Sequence, residues 1–307
     1  MISGIINVYK EKGYTSHDVV AKLRGILRQK KIGHTGTLDP EAEGVLPVCL
    51  GAGTKLCDML TDTGKTYEAV LLLGQETDTQ DTTGRVIHTY PVTVTEEEVS
   101  VCIASFAGQY DQIPPMYSAL KVQGKKLYEL ARAGIEVERK PRRVTIYEIQ
   151  INEIRLPRIT MTVSCSKGTY IRTLCHDIGS RLGTGGCMES LRRTRVGEFR
   201  IEESLTLAQI EALRDQERLK EHILPVAAAF SDAPAACVTP EAEKLLQNGN
   251  PLKTQQLLFQ TKGDPVRGRV RIYDTANIFC GIYRWDERKD SYVPEKMFLD
   301  RSSVMGG

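Results

Sequence analysis

The chain has no cysteine pair at C-x-x-C spacing, no H-E-x-x-H pair, and no apolar run near the ~18 residues that cross a bilayer as a helix. These absences argue against a structural zinc finger, a zinc protease and a helical membrane protein. The eight cysteines are scattered, so no disulfide framework is expected. The first ten residues carry neither the basic start nor the apolar core of a secretion signal. Together these features predict a soluble, cytoplasmic protein with reduced thiols, no bound metal and no membrane. A phosphate loop is also missing: Gly51-Ala52-Gly53-Thr54-Lys55 lacks the spacing, and Gly64-Lys65-Thr66 would need a glycine where Met59 stands. That disfavours a nucleotide hydrolase. No internal repeat or low-complexity tract occurs.

What is present concentrates between Gly33 and Gly51. Gly33, Gly36, Gly44 and Gly51, with Pro40 and Pro47, rule out a continuous helix there and predict a held loop. Asp39 precedes Pro40, which biases it away from helical geometry and puts its carboxylate on a stiff backbone. A lone Asp-Pro is usually a turn whose aspartate bonds its own backbone. The crowding of unusual residues around Asp39 favours chemistry instead.

The net charge of +2 hides local excess. Lys22, Arg24, Arg28, Lys30 and Lys31 lie in a stretch with no acid. Residues 121 to 143 carry Lys121, Lys125, Lys126, Arg132, Arg139, Lys140, Arg142 and Arg143 against three glutamates. Either patch alone is a solvated face; together they suit a polyanion.

Along the chain, Ile5, Ile6 and Val8 predict a short strand. Ser16 is expected to cap a helix whose apolar stripe is Val19, Val20, Leu23, Ile26 and Leu27, closing at Lys30 and Lys31. Thr66–Leu73 reads as a strand, as does Arg85–His88 after the polar turn at 77 to 84. Thr95 to Glu98 is a capping box for a helix closed by Gly108. Pro114 and Pro115 force an extended stretch, a short helix follows around Leu127 and Leu130, and Val144–Ile154 and Arg158–Ser166 read as strands. A helix with Ile171, Leu174, Ile178 and Leu182 on one stripe leaves Arg172 on another face, where by itself it is a surface arginine. A second capping box stands at Thr206 to Gln209. An alanine- and proline-rich shift over 224 to 236 marks a linker, with a boundary near 233. Beyond it, a short helix and strands near 270 to 273, 278 to 285 and 293 to 299 predict a small barrel.

Gly33-His34-Thr35-Gly36-Thr37-Leu38-Asp39-Pro40 matches, without a gap, the catalytic motif of the bacterial tRNA pseudouridine-55 synthases, and the chain resembles that TruB family over roughly residues 4 to 200. One departure is Glu11, where the family's N-terminal motif has a proline after the lysine. The resemblance implies an α+β fold, with a mixed, mostly antiparallel sheet flanked by helices and Asp39 in a central cleft. It also implies a catalytic unit over 1 to 233, with an RNA-clasping thumb loop near 112 to 143, and a PUA-like RNA-binding barrel over 234 to 307.

By the same resemblance Asp39 is catalytic. His34 fills space vacated by the target base, Tyr67 packs on that base, Tyr170 contacts it, Leu191 lines the pocket, and Arg172 keeps Asp39 ionised and oriented. Lys125, Lys126, Arg142 and Arg143 of the thumb are expected on the RNA backbone. The implied reaction is isomerisation of uridine 55 to pseudouridine in the T loop of tRNA, after the base is flipped out, by a monomer needing no cofactor. Two other readings stand beside it. One is a glycoside hydrolase using Asp39 with Glu41 or Glu43, which would release free uracil. The other is a non-catalytic module that binds or folds RNA.

Overall fold

The computed structural model describes residues 2–61, 63–122, 124–260 and 267–299. It opens with β1 (Gly4–Lys10), helix α1 (Ser16–Leu27), β2 (Ile32–His34) and β3 (Glu43–Leu50). A 3-10 segment leads into α2 (Cys57–Thr61), then β4 (Lys65–Leu73), β5 (Gln75–Thr77) and β6 (Val86–Thr89). Next come α3 (Glu96–Ala104), β7 (Gly108–Gln112), the small strands β8 (Lys121–Val122) and β9 (Lys125–Lys126), and α4 (Leu127–Arg132). Long strands β10 (Arg142–Arg155) and β11 (Arg158–Cys165) precede α5 (Ile171–Arg181), β12 (Gly186–Val196) and β13 (Phe199–Arg200). Helix α6 (Leu207–Asp215) and β14 (Ile223–Leu224) complete the larger part.

These strands form one ten-stranded sheet in the order β14-β1-β3-β12-β4-β11-β10-β7, with β2 added on β3 and β13 on β12. Every pairing in it is antiparallel except β3 with β12. The expected α+β architecture is therefore present. Alternation decides which side is covered. On β4, Tyr67, Ala69, Leu71 and Leu73 turn inward, while Thr66, Glu68, Val70 and Leu72 are only partly covered. Register places Leu191 beside Ala69 and Arg193 beside both Tyr67 and Gly44, so the inward side of β4 continues across β12 onto β3. On that side α3 and α5 close one core around Leu71, Ile103, Met161, Val163 and Leu174. The other core, around Val8, Val20, Leu23, Val48 and Ile210, is closed by α1 and α6.

Local signals place the helices. Thr15 accepts from the Asp18 amide while the Asp18 carboxylate takes the Thr15 amide. The cap of α1 is thus Thr15 and not Ser16, whose buried hydroxyl is used elsewhere. The helix also stops earlier than its sequence suggests, at a left-handed Arg28. The capping boxes at Thr95 and Thr206 form as expected. Helix α3 ends at Ala104, however, and Gly108 opens β7 instead of closing the helix.

Beyond residue 233 a second sheet runs β16-β15-β17-β18-β19, built from β15 (Ala235–Val238), β16 (Leu257–Phe259), β17 (Arg269–Tyr273), β18 (Phe279–Asp286) and β19 (Ser291–Met297), with helix α7 (Glu243–Gln247). The sheet is consistent with a PUA-like domain, and among the described residues it is not closed into a barrel. Residues 300–307 of the second unit lie outside the described residues. The alanine-rich stretch before this sheet is packed: Val226 and Phe230 are buried in a cluster that joins Ile5, Cys49 and Leu56 of the first part to Ile282 and Phe298 of the second.

Candidate active site

The stretch from Gly33 to Gly51 is less of a loop than its composition implies, because β2 and β3 take up both ends and leave 35 to 42 as the true loop. Its anchoring is dense. The Thr35 amide and hydroxyl both donate to the Pro47 carbonyl at 3.2 Å. The Leu38 amide donates to the buried Ser16 hydroxyl at 2.9 Å, and the Gly13 amide to the Pro40 carbonyl at 2.9 Å. Leu38 and Ala42 are buried in the core on either side of Asp39. The carboxylate between them is held by a backbone with little freedom.

Asp39 meets Arg172, which stands near the start of α5. Nε lies 3.1 Å from Oδ2 and Nη2 lies 3.4 Å from Oδ1. Arg172 is 6% exposed, so it is no surface arginine. Its remaining donors are spent as well: Nη1 reaches the Thr79 carbonyl at 3.1 Å and the Asp81 carboxylate at 3.5 Å, and Nη2 the Tyr117 carbonyl at 2.9 Å. Burial pushes the Asp39 carboxyl above its ordinary range; Arg172 opposes the rise, Asp81 adds to it and Lys10 opposes it. Arg172 thus moderates a net upward shift.

The turn before α5 is also clamped. Gln112 accepts from the Tyr170 amide at 2.8 Å and donates to the Tyr170 carbonyl at 3.0 Å. Tyr170 lies within electrostatic reach of both Arg172 and Asp39. Tyr67 is 8% exposed on β4 and packs in the same core as Leu38 and Leu191, and burial raises its phenol's pKa. His34 ends β2, where its Nδ1 accepts weakly from the Gly36 amide at 3.4 Å and its ring stands edge-on to His17 at 5.3 Å. Burial lowers its pKa, with the charges of His17 and Arg193 adding to the effect.

The structure therefore gathers Asp39, Tyr170 and Arg172 by direct contact or charge, with Tyr67 and Leu191 in the adjoining core. The four basic residues of the thumb stand in two places, and the charge of Arg142 reaches the Tyr170 phenol. Lys125 and Lys126 form β9 of a small hairpin, and Arg142 and Arg143 start β10 beside the edge strand β7. Arg143 is taken up by Asp111 at 2.7 and 2.9 Å, and Lys126 donates to the Tyr128 hydroxyl at 3.1 Å. Lys125 and Arg142 are exposed. Glu41, one of the carboxylates a hydrolase would use, is paired with Lys12 at 3.3 Å. No group of three or more potential metal ligands occurs among the described residues.

Three residues close to Asp39 were not visible as such in the sequence. Asp81 reads as part of a polar turn. Lys10 reads only as the lysine following a short strand, yet it is fully buried, with Nζ donating to the carbonyls of Glu11 and Pro40 at 3.1 Å and of Ala42 at 2.5 Å. Its pKa is lowered to about 8, by burial first and by Arg193 among its neighbours. Arg193 reads as one more charge in a basic run, yet it is 1% exposed. Only the family resemblance at Leu191 drew attention to that stretch.

Comparison with known proteins converges on one family. Residues 24–171 match the model for the TruB family pseudouridylate synthase N-terminal domain, and 172–231 that for the tRNA pseudouridylate synthase B C-terminal domain. A protein of Lachnoclostridium phytofermentans named tRNA pseudouridine synthase B is 53% identical, covering 97% of this chain and 100% of its own length. A protein of the same name from Bacillus subtilis is 41% identical, covering 98% and 99%. Among solved structures, a Cbf5-Nop10-Gar1 complex aligns at TM-score 0.70 and 28% identity, over 97% of this chain and 86% of its counterpart. With both domain models matched in order and such identity over nearly the full length, the chain belongs to the TruB family of pseudouridylate synthases.

Proposed function

We propose that this protein converts uridine 55 to pseudouridine in the T loop of tRNA, with Asp39 as the catalytic residue. The observation that carries the reading is the pairing of Asp39 with the buried Arg172, in a family of pseudouridylate synthases whose relatives are named for tRNA. The uracil leaves C1′ of its ribose, turns, and rejoins through C5, which gives up its proton. N1 takes up a proton as C5 loses one, so the product is an isomer of the substrate and no redox partner enters the balance. An aspartate can serve by attack at C1′, by attack on the base, or by helping remove the C2′ proton, and its held backbone suits each.

The target base must first be flipped out, at a cost of a few kcal/mol in unstacking. In this reading Tyr67 and Tyr170 receive it, Leu191 lines the pocket, and His34 fills the space it leaves. Arg172 orients Asp39 and offsets part of the cost of burying its charge. Lys125, Lys126, Arg142 and Arg143 take backbone phosphates of the T stem-loop, and residues 234–307 act as a second RNA-binding unit after a catalytic unit over 1–233. The protein works in the cytoplasm as a monomer.

The test is incubation with unmodified tRNA, followed by nucleoside analysis of wild-type substrate and of tRNA in which uridine 55 is replaced by cytidine. Pseudouridine from the first and none from the second is expected. Free uracil would instead indicate a hydrolase. The second reading, a module that binds or folds tRNA without chemistry, is favoured if binding is tight and neither product forms.

A further inference from the structure

Arg193 lies buried beneath the Asp39 loop without an acidic partner. Its Nε donates to the Val45 carbonyl at 2.7 Å, and Nη1 and Nη2 reach the carbonyls of Thr37 and Gly36, each at 3.4 Å. It is also hydrogen-bonded to the phenol of Tyr67, its register partner on β4. Among the described residues no carboxylate pairs with it, whereas its neighbours Arg192 and Arg195 pair with Glu68 and Glu198 as surface arginines do. Burying a guanidinium without a counter-charge is costly, and an apolar side chain of similar length serves stability better. What the guanidinium provides is donors in a rigid fork, and they are spent on the loop.

The backbone at this point is fixed too. Gly44 faces Arg193 where β3 and β12 run parallel, and a Cβ there would lie 2.2 Å from the Arg193 carbonyl oxygen. Only glycine lets the two strands approach, and that approach brings the arginine under the loop. Lys10 completes the support from the β1 side, so two buried cations hold the carbonyls of residues 36, 37, 40, 42 and 45.

We propose that Arg193 is a positioning residue for this reaction: by holding the Asp39 loop and the Tyr67 ring through one guanidinium, it fixes the spacing between the carboxylate and the surface that receives the base. The proposal rests on the roles given above to Asp39 and Tyr67. Because an error of about 1 Å in placement can cost a hundredfold in rate, loss of the fork should appear in turnover before it appears in binding.

The experiment uses the full chain with Arg193→Met and Arg193→Lys, unmodified tRNA, single-turnover rates at saturating enzyme, filter binding, and thermal melting. Leu46→Ala, which opens a cavity in the core under α1, controls for lost stability. In Arg193→Met a rate loss of about a hundredfold is expected with tRNA affinity within about threefold. Arg193→Lys keeps the charge but not the fork and should fall about tenfold. If Arg193→Met does not fold, the lysine variant decides alone, and wild-type turnover in it overturns the proposal.

The pH profile supplies a readout that folding does not move. Lys10 faces Asp39, Glu41, Glu43 and Arg193, and of these only Arg193 joins burial in lowering its pKa. Deprotonation of Lys10 removes one of the donors that hold the Pro40 and Ala42 carbonyls, so the alkaline limb this should produce is expected to shift to higher pH in Arg193→Met and stay in place in Arg193→Lys. A limb unmoved in the methionine variant, or an equal rate loss in Leu46→Ala at equal melting loss, overturns the positioning role. Inactive wild-type protein, or an active Asp39→Asn, sinks the proposed function instead.

Discussion

Asp39 and Asp81 share one guanidinium: Arg172 holds the first through Nε at 3.1 Å and the second through Nη1 at 3.5 Å. The two carboxylates therefore repel each other across a single cation, and Asp81 is one of the charges that raise the pKa of Asp39. If Asp39 is catalytic, as proposed, Asp81 stands where it can tune it.

Asp39→Asn keeps the shape of the side chain and removes the anion. Turnover should fall by about a thousandfold or more, since neither attack nor proton abstraction survives. Affinity for tRNA should hold, because it comes from phosphates and stacking. The sign of the stability change follows from the raised pKa. The folded protein favours protonated Asp39, so above that folded pKa the buried charge is a net cost, and the cost fades as pH falls toward the ordinary aspartate range. At neutral pH the asparagine variant should melt within about 2 °C of wild type or slightly above it, the side chain being partly exposed and the effect screened. Scanning calorimetry at pH 7 and pH 4 checks this, and a large destabilisation at pH 7 would recast Asp39 as structural.

Asp81→Asn removes the charge that competes with Asp39 for Arg172. The acid limb of the rate profile should move to lower pH, because one cause of the raised Asp39 pKa is gone. The maximal rate should fall about tenfold as Arg172 loses a restraint on its orientation. Single-turnover rates from pH 5 to 8 provide the measurement, and a limb moving upward contradicts the arrangement.

The basic residues should not contribute equally to binding. Neutralising Lys125, Lys126, Arg142 and Arg143 together should flatten the slope of log affinity against log salt by about 3 at most. Arg143→Gln alone should change it less than Arg142→Gln, because Arg143 is already paired with both carboxylate oxygens of Asp111 through Nε and Nη2. Equal effects of the two single variants would show that RNA displaces Asp111.

Removal of residues 234–307 should weaken tRNA binding and leave residual chemistry, since every proposed catalytic residue precedes the cut. It should also lower stability, because Ile282 and Phe298 would no longer cover Ile5, Cys49 and Leu56. Phe230→Ala is the milder probe. Phe230 lies 5.8 Å from Phe298 and 6.1 Å from Phe279, and its loss should cost about 3 kcal/mol with turnover intact below the melting transition. Abolished turnover in a folded truncation would mean that the second sheet helps shape the site.

The sequence was most legible where structure is set by neighbours in the chain. The capping boxes at Thr95 and Thr206 and the alternation of Ile159, Met161 and Val163 need only a few residues to be seen. Strand β12 was not seen, because Arg192, Arg193 and Arg195 break the apolar alternation that marks a strand, and the burial of Arg193 depends on carbonyls some 150 residues away. Asp81 stayed hidden for the opposite reason. Its bonds to Thr79 and Thr83 fully account for it as a turn residue, and its contact with Arg172 leaves no local trace. Asp39 stood out through its crowded loop, but its partner came only from family resemblance.

The single parallel pairing in the large sheet also governs when the protein becomes competent. Strand β3 can seat against β12 only after that strand has left the ribosome, and Arg172 and Arg193 lie 133 and 148 residues beyond Asp39 and Val45. At synthesis rates of about 5–20 residues per second, the first 50 residues wait on the order of ten seconds or more for their partners. Through that interval the loop has Lys10 but neither Arg193 beneath it nor its Arg172 clamp. A nascent chain halted before β12 would hold Asp39 without Arg193 and with the β12 side of β3 unpaired, and on the proposed mechanism it should be inactive.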